Sequence, residues 1–213
     1  MTREQILKKE IIAAGRRCAG LRLVTARAGN ISSRLDKENI LITASGAALG
    51  SLKPSDIVKV RLAAGPRRPF HSGRPFDKRP SSEFPLHRLI HLNFPGDRCV
   101  VHCHPSLTNA YFYVNKQLTN LTFESKFYLG DVPVVRQKTL TVTDPGPVIE
   151  ALRASSIVVI KNHGVFSRAK DFLSALERIE ILEEAVRIHA LALLFKRKKL
   201  GPLAAELKRD LCR

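Results

Sequence analysis

The chain of 213 residues has no tryptophan, three tyrosines and one methionine, and aromatics make up only 6% of it. No aromatics interleave with basic residues along a strand-like run, which argues against a base-stacking nucleic-acid platform. Long apolar runs are missing too. No stretch approaches the ~20 uninterrupted apolar residues that a membrane helix needs. The opening "MTREQILKKE" mixes charges of both signs and holds no apolar segment, so it does not read as a secretory signal. The four cysteines, Cys18, Cys99, Cys103 and Cys212, form no CxxC pair and no dense framework. Reduced thiols in a cytoplasmic protein are the expectation. Neither GxxxxGK[ST] nor a strand-borne GxGxxG occurs, so no nucleotide-type phosphate loop is indicated.

Acid is also scarce. Nineteen Asp and Glu against 36 Lys and Arg leave a net charge of +17. Such a balance favours anionic partners, among them phosphorylated metabolites. Much of the excess is local: "RLAAGPRRPFHSGRPFDKRP" (61–80) and "FKRKKL" (195–200). A solvated loop and a basic helix end, which complements the helix dipole, account for both without a partner. The hydrophobic fraction of 44% can build a sizeable core, and the length suits one domain over 1–213.

Apolar periodicity organises the rest. Ile6, Leu7, Ile11, Ala14 and Cys18 predict a helix over 3–20. "ARAGNISSRL" reads as a turn entering a strand, and strands are predicted at 39–46 and 57–62. "SSEFPLHRLIHLNFPG" (81–96) reads as a helix capped by Ser81 or Ser82, with Pro85 in its first turn and Pro95-Gly96 at its end. "RCVVHCH" is a strand, "SLTNAYFYVNK" a helix, "DVPVVR" a strand and "DPGPVIEALRAS" a helix. "SIVVIKNHGVFSR" reads as two strands joined tightly at Asn162-His163-Gly164. A long helix follows from Asp171 to Lys199, with Leu173, Leu176, Ile179, Leu182, Val186 and Leu193 near one stripe. Intermixed strands and helices imply one α/β domain with a mainly antiparallel sheet.

"CVVHCHPS" (99–106) carries the first chemical signal. On a strand, residues i and i+2 share a face, so His102 and His104 project together while Cys103 points away. Two imidazoles on one face suit a cation, and a catalytic zinc site commonly takes three protein ligands. His163, in a tight turn beside Gly164, is the best third candidate. A rival set is Glu83, His87 and His91, at i, i+4 and i+8 on one helix face. It lacks HExxH, and buried or surface structural roles suit His87 and His91 better; His71 and His189 carry no signal. By itself Glu83 reads as a first-turn carboxylate favouring the helix dipole. "AGNISS", "TASG" and "PSSE" are singly ordinary turns. Together they could gather N–H groups and hydroxyls around a phosphate.

In order along the chain, "GNIS", "TASG", "PSSE", "VVHCHP" and "KNHG" resemble the class II aldolase/adducin family, over about residues 5 to 195. The resemblance implies a three-layer α/β/α domain around a mainly antiparallel sheet. It implies homotetramers with sites between subunits. His102, His104 and His163 would hold one zinc per subunit. Glu83 would be the catalytic acid/base and a possible fourth ligand. Asn30, Ser45, Gly46, Ser81 and Ser82 would bind the substrate phosphate. The implied reaction cleaves a ketose 1-phosphate, such as L-fuculose 1-phosphate, to dihydroxyacetone phosphate and an aldehyde through a metal-stabilised enediolate. "SSE" favours an aldolase over the similar 4-epimerases, which typically carry "SSD". The three histidines argue against a non-catalytic scaffold relative. Aldolases of this type often use a late tyrosine as proton donor, yet the last tyrosine here is Tyr128; Tyr113 and Tyr128 are the candidates. A dehydratase, a decarboxylase and a 4-epimerase remain the alternative reactions within the resemblance.

Overall fold

The computed structural model describes residues 1–63, 79–137, 139 and 141–197. Most of the basic 61–80 loop, with His71, lies outside them, as do Cys212 and the end of the "FKRKKL" block. Helix α1 (Arg3–Gly20) opens on a capping box, in which Thr2 accepts from the Gln5 N–H and the Gln5 side chain accepts from the Thr2 N–H. Strands β1 (Asn30–Arg34), β2 (Asn39–Thr43) and β3 (Ile57–Arg61) form an antiparallel meander. Then come α2 (Phe84–Asn93), β4 (Cys99–Cys103), α3 (Ser106–Val114), α4 (Phe123–Leu129), β5 (Val134–Arg136) and α5 (Gly146–Ala154). The hairpin β6 (Ile157–Lys161) and β7 (Gly164–Ala169) leads into α6 (Phe172–Arg197).

The seven strands make one sheet in the order β3-β2-β1-β4-β7-β6-β5. Every pairing is antiparallel except β5 with β6. Alternation along the strands splits the core in two. Ile31, Leu41, Val101 and Val165 face α1, α3 and α6. Val100, Val158, Ile160 and Phe166 face α2 and α5. The expected α/β/α layering and mainly antiparallel sheet are therefore present.

Three local readings change. The helix expected over 81–96 starts three residues late, because residues 80 and 81 extend the sheet edge: Pro80 bridges Ala44, and the Ser81 N–H bonds the Thr43 carbonyl. Glu83, rather than a serine, stands at the N-cap. Helix α4 was not legible, because Phe123 and Phe127 are exposed while Ser125 is buried, which inverts the usual stripe. In α6, Leu176, Ile179, Leu182 and Val186 are buried, but Leu173 and Leu193 at the ends of the predicted stripe are exposed.

Candidate functional site

One end of the sheet collects the chemistry. The antiparallel register sets Asn30 beside His102, and His102 beside Phe166, on the α2/α5 face. The end of β2 and the β6–β7 turn come to the same edge, as does the start of α2. Asn162 adopts a left-handed conformation (φ 63°) to make that turn.

Strand alternation assigns the β4 residues. Cys103 turns to the opposite layer, where its Sγ lies 3.5 Å from that of Cys18. His102 and His104 share the other face. His102 Nε2 lies 2.9 Å from His104 Nε2 and 2.9 Å from His163 Nε2. His102 is buried and stacks on Phe166 at 4.0 Å between centroids. Its Nδ1 donates to the Val165 carbonyl at 3.0 Å, which leaves Nε2 as a lone pair. The side-chain amide of Gln137 meets His163 Nδ1 at 2.7 Å. With that amide turned so its oxygen accepts from Nδ1–H, His163 Nε2 also faces inward as a lone pair. Burial, followed by its two histidine neighbours, pushes His102 well below the usual imidazole range. Burial and then His163 bring His104 to about 4. Neutral imidazoles whose Nε2 atoms converge on one point fit a cation. The donor set, three nitrogens within 4.8 Å of one another, thus suits a divalent transition metal.

Gly164 makes the convergence possible. A Cβ there would lie 2.3 Å from the Cys103 carbonyl oxygen and 2.9 Å from the His104 ring. Gly29 plays the same part beside Asn30: its φ is +83°, and a Cβ would meet the His102 carbonyl at 2.8 Å.

A pocket of about 220 Å³ opens over this cluster. His102, His104, His163 and Glu83 line it together with Asn30, Ser45, Gly46, Ser81 and Ser82. The site residues expected from the sequence are thus all brought together. The backbone donors are fewer than the turns suggested. The Ser45 and Ser81 N–H groups are bonded to Arg79 and Thr43 carbonyls, leaving those of Gly46 and Ser82 without a bond among the described residues. Asn30 is held by β1, and its Oδ1 takes His87 Nε2 at 2.5 Å.

Glu83 is not a carboxylate serving the helix dipole. It is buried, its Oε2 has no hydrogen-bond partner among the described residues, and burial raises it to about 7. The Val142 N–H, donating to the carboxylate, works against that rise but does not cancel it. A carboxyl poised near neutrality in a pocket can both accept and release a proton.

His87 and His91, the rival metal set, are fully buried elsewhere in the same layer and face Ser32 rather than each other's lone pairs. His189 bonds Tyr111 away from the pocket. Tyr113 and Tyr128 are exposed and do not line it; Tyr128 borders a separate open groove with Lys116 and Arg178. Sequence reasoning missed Gln137 and Val142, which reach the site from the segment between β5 and α5. It also missed Arg27, the one Lys or Arg lining the pocket among the described residues. Nothing in the sequence sets Arg27 apart from the other basic residues.

Comparison with known proteins identifies the family. The family model "Class II Aldolase and Adducin N-terminal domain" matches residues 9–190. An L-fuculose phosphate aldolase of Methanocaldococcus jannaschii is 28% identical over 193 residues, covering 89% of this chain and 99% of that protein. A methylthioribulose-1-phosphate dehydratase of Gluconobacter oxydans is 31% identical over 82% of this chain and 86% of its own length. The crystal structure of L-fuculose-1-phosphate aldolase from Thermus thermophilus superposes with a TM-score of 0.77 at 29% identity, covering 92% of this chain and 97% of that one. The chain belongs to the class II aldolase and adducin N-terminal domain family.

Proposed function

We propose that the protein is a zinc-dependent aldehyde-lyase that cleaves a ketose 1-phosphate of the L-fuculose 1-phosphate kind to dihydroxyacetone phosphate and an aldehyde. One observation carries the reading: three imidazole nitrogens converge in a pocket shared with a carboxyl held near neutrality. His102, His104 and His163 are the residues that would hold the metal. When bound, it would supply Lewis-acid stabilisation of negative charge on the substrate's carbonyl and hydroxyl oxygens. The chain's own residues do the rest. Asn30, Ser45, Ser81, Ser82 and the Gly46 N–H orient the phosphate, and Arg27 at the rim adds its charge. As the C3–C4 bond breaks, the C4 hydroxyl releases its proton to water in the open pocket and becomes the aldehyde, the bonding pair stays with C3, and protonated Glu83 delivers its proton to that carbon. In the synthetic direction Glu83 removes the same proton. In this reading Glu83 would also serve as a fourth ligand before substrate arrives. Residues 1–213 act as one catalytic domain in this reading.

Four copies assemble in the cytoplasm with sites at their boundaries. The exposed Tyr113, Val114, Phe123, Phe127, Leu194 and Phe195 supply apolar surface for such contacts. Among the described residues no helix is long and apolar enough to cross a membrane. Light scattering is expected to give four times the chain mass of 23.7 kDa.

The Gluconobacter relative favours a second reading, dehydration of a methylthioribulose 1-phosphate-like substrate at the same site. Product identification separates the two. The zinc-loaded protein is incubated with L-fuculose 1-phosphate, other ketose 1-phosphates and methylthioribulose 1-phosphate. Dihydroxyacetone phosphate is the expected product; loss of water with the carbon chain intact would establish the dehydratase instead.

A further inference from the structure

Beneath the pocket runs a chain of buried polar side chains, of which the proposed aldol reaction uses only Asn30. His91 Nε2 lies 2.8 Å from Ser32 Oγ, which lies 2.7 Å from His87 Nδ1. His87 Nε2 lies 2.5 Å from Asn30 Oδ1, and Asn30 lines the pocket. His91, Ser32 and His87 each have 0% exposure and Asn30 has 7%. The four come from two elements, β1 and α2, whose packing also carries Glu83 at the start of α2.

Donor and acceptor capacity allows two directions through these groups. In one, Asn30 donates to His87, His87 Nδ1–H to Ser32, and Ser32 to His91 Nε2. His91 Nδ1 must then carry a hydrogen, and that atom has no partner among the described residues. A buried orphan donor is costly. In the other, His91 Nε2–H donates to Ser32, Ser32 Oγ–H to His87 Nδ1, and His87 Nε2–H to Asn30 Oδ1. Only an acceptor, His91 Nδ1, is then left over, which is the better tolerated outcome. Arg34, whose guanidinium donates to the His91 carbonyl, adds a nearby positive charge that opposes protonation of His91.

We infer that His91, Ser32 and His87 are positioning residues that lock the Asn30 amide with its NH2 turned into the pocket as a donor to a phosphate. The inference rests on the reading of Asn30 as a phosphate ligand. Without the chain the amide is free to turn its oxygen toward the anion, where it repels. Nothing in the relay needs a charged imidazole; direction comes from the tautomers alone.

Inorganic phosphate is the probe, titrated calorimetrically into the full-length, metal-loaded protein. Ser32→Ala and His91→Leu are expected to weaken phosphate about tenfold, with metal content unchanged. His91→Gln keeps an N–H donor where Nε2 stood and is expected to restore affinity to within about twofold of the original. A structural role alone does not predict that rescue, so a His91→Gln as weak as His91→Leu overturns the inference. Unchanged affinity in Ser32→Ala overturns it as well. Asn30→Asp distinguishes the underlying reading. It is expected to abolish phosphate binding; if it does not, the phosphate cradle itself fails, and the inference with it. Nitrogen-detected NMR of the unmutated protein gives an answer even where a variant does not fold. Nε2–H tautomers at both His87 and His91 are expected, and an Nδ1–H tautomer at His87 refutes the direction.

Discussion

Two groups of histidines lie in the same layer, between the sheet and α2/α5, and they behave differently. His102, His104 and His163 turn nitrogen lone pairs toward a common point. His87 and His91 both bond the one serine hydroxyl between them. Burial pushes His87, His91 and His102 down alike, so a depressed imidazole does not mark a metal ligand here. What separates the groups is satisfaction. One spends three of its four ring nitrogens on Ser32 and Asn30, and the other gathers its nitrogens where a cation would fit.

Removing a member from each group should therefore have opposite signatures. His163→Ala is expected to lose metal and to lower turnover by about 10³-fold or more, given the several kcal/mol that Lewis-acid stabilisation supplies; metal analysis and initial rates check this. Gly164→Ala drives a methyl into the Cys103 carbonyl and both strand histidines. It is expected to cost about 1–3 kcal/mol or more of stability by overpacking and to loosen metal as well, seen in denaturant melts with and without zinc.

Changes to the pair that bonds Ser32 should lower stability and leave the metal in place. His87→Leu takes one partner each from Ser32 and Asn30, which costs about 1–3 kcal/mol at neutral pH, with metal content unchanged. Its pH signature sharpens the contrast. Burial holds His87 at about 3 in the fold against an ordinary 6.5. Between those values the unfolded chain binds more protons, so stability is full above ~6.5 and is lost as pH falls toward 3. Acid melts of His87→Leu should show a shallower dependence through that window. Gln137→Ala, the smallest effect, removes only the partner of His163 Nδ1. Metal affinity is expected to fall about tenfold, the low end for a partner of a ligating histidine, measured by chelator competition.

The same contrast shows what was legible in the sequence. Period two along "VVHCH" correctly excluded Cys103 and paired His102 with His104, because a sheet face is a local property. One α/β domain with a mainly antiparallel sheet followed from the intermixing of strands and helices, and the three layers from the family resemblance. The five ordered motifs named a set of residues that the structure gathers in one pocket. What was not legible depends on contacts between distant elements. Apart from the resemblance, Glu83 read as an ordinary helix-start carboxylate, since its burial comes from packing against the β2 end and residue 142. Ser32 stood inside "GNIS", but its link to His87 and His91 was not legible, because those partners lie more than 50 residues away on α2. Helix α4 hid because its aromatics point outward. The N–H groups of Ser45 and Ser81 looked available until the Ala44–Pro80 bridge occupied that edge.

Glu83 offers the most direct test of the central claim. Dihydroxyacetone phosphate release from L-fuculose 1-phosphate should be measured in zinc-loaded protein and in Glu83→Gln, with metal content determined on the same samples. The predicted result is one metal per chain in both and a rate about 10²–10⁴-fold lower in the variant, the usual weight of a positioned acid/base. A variant that keeps its metal and its rate would contradict the role given to Glu83 and the aldol mechanism built on it.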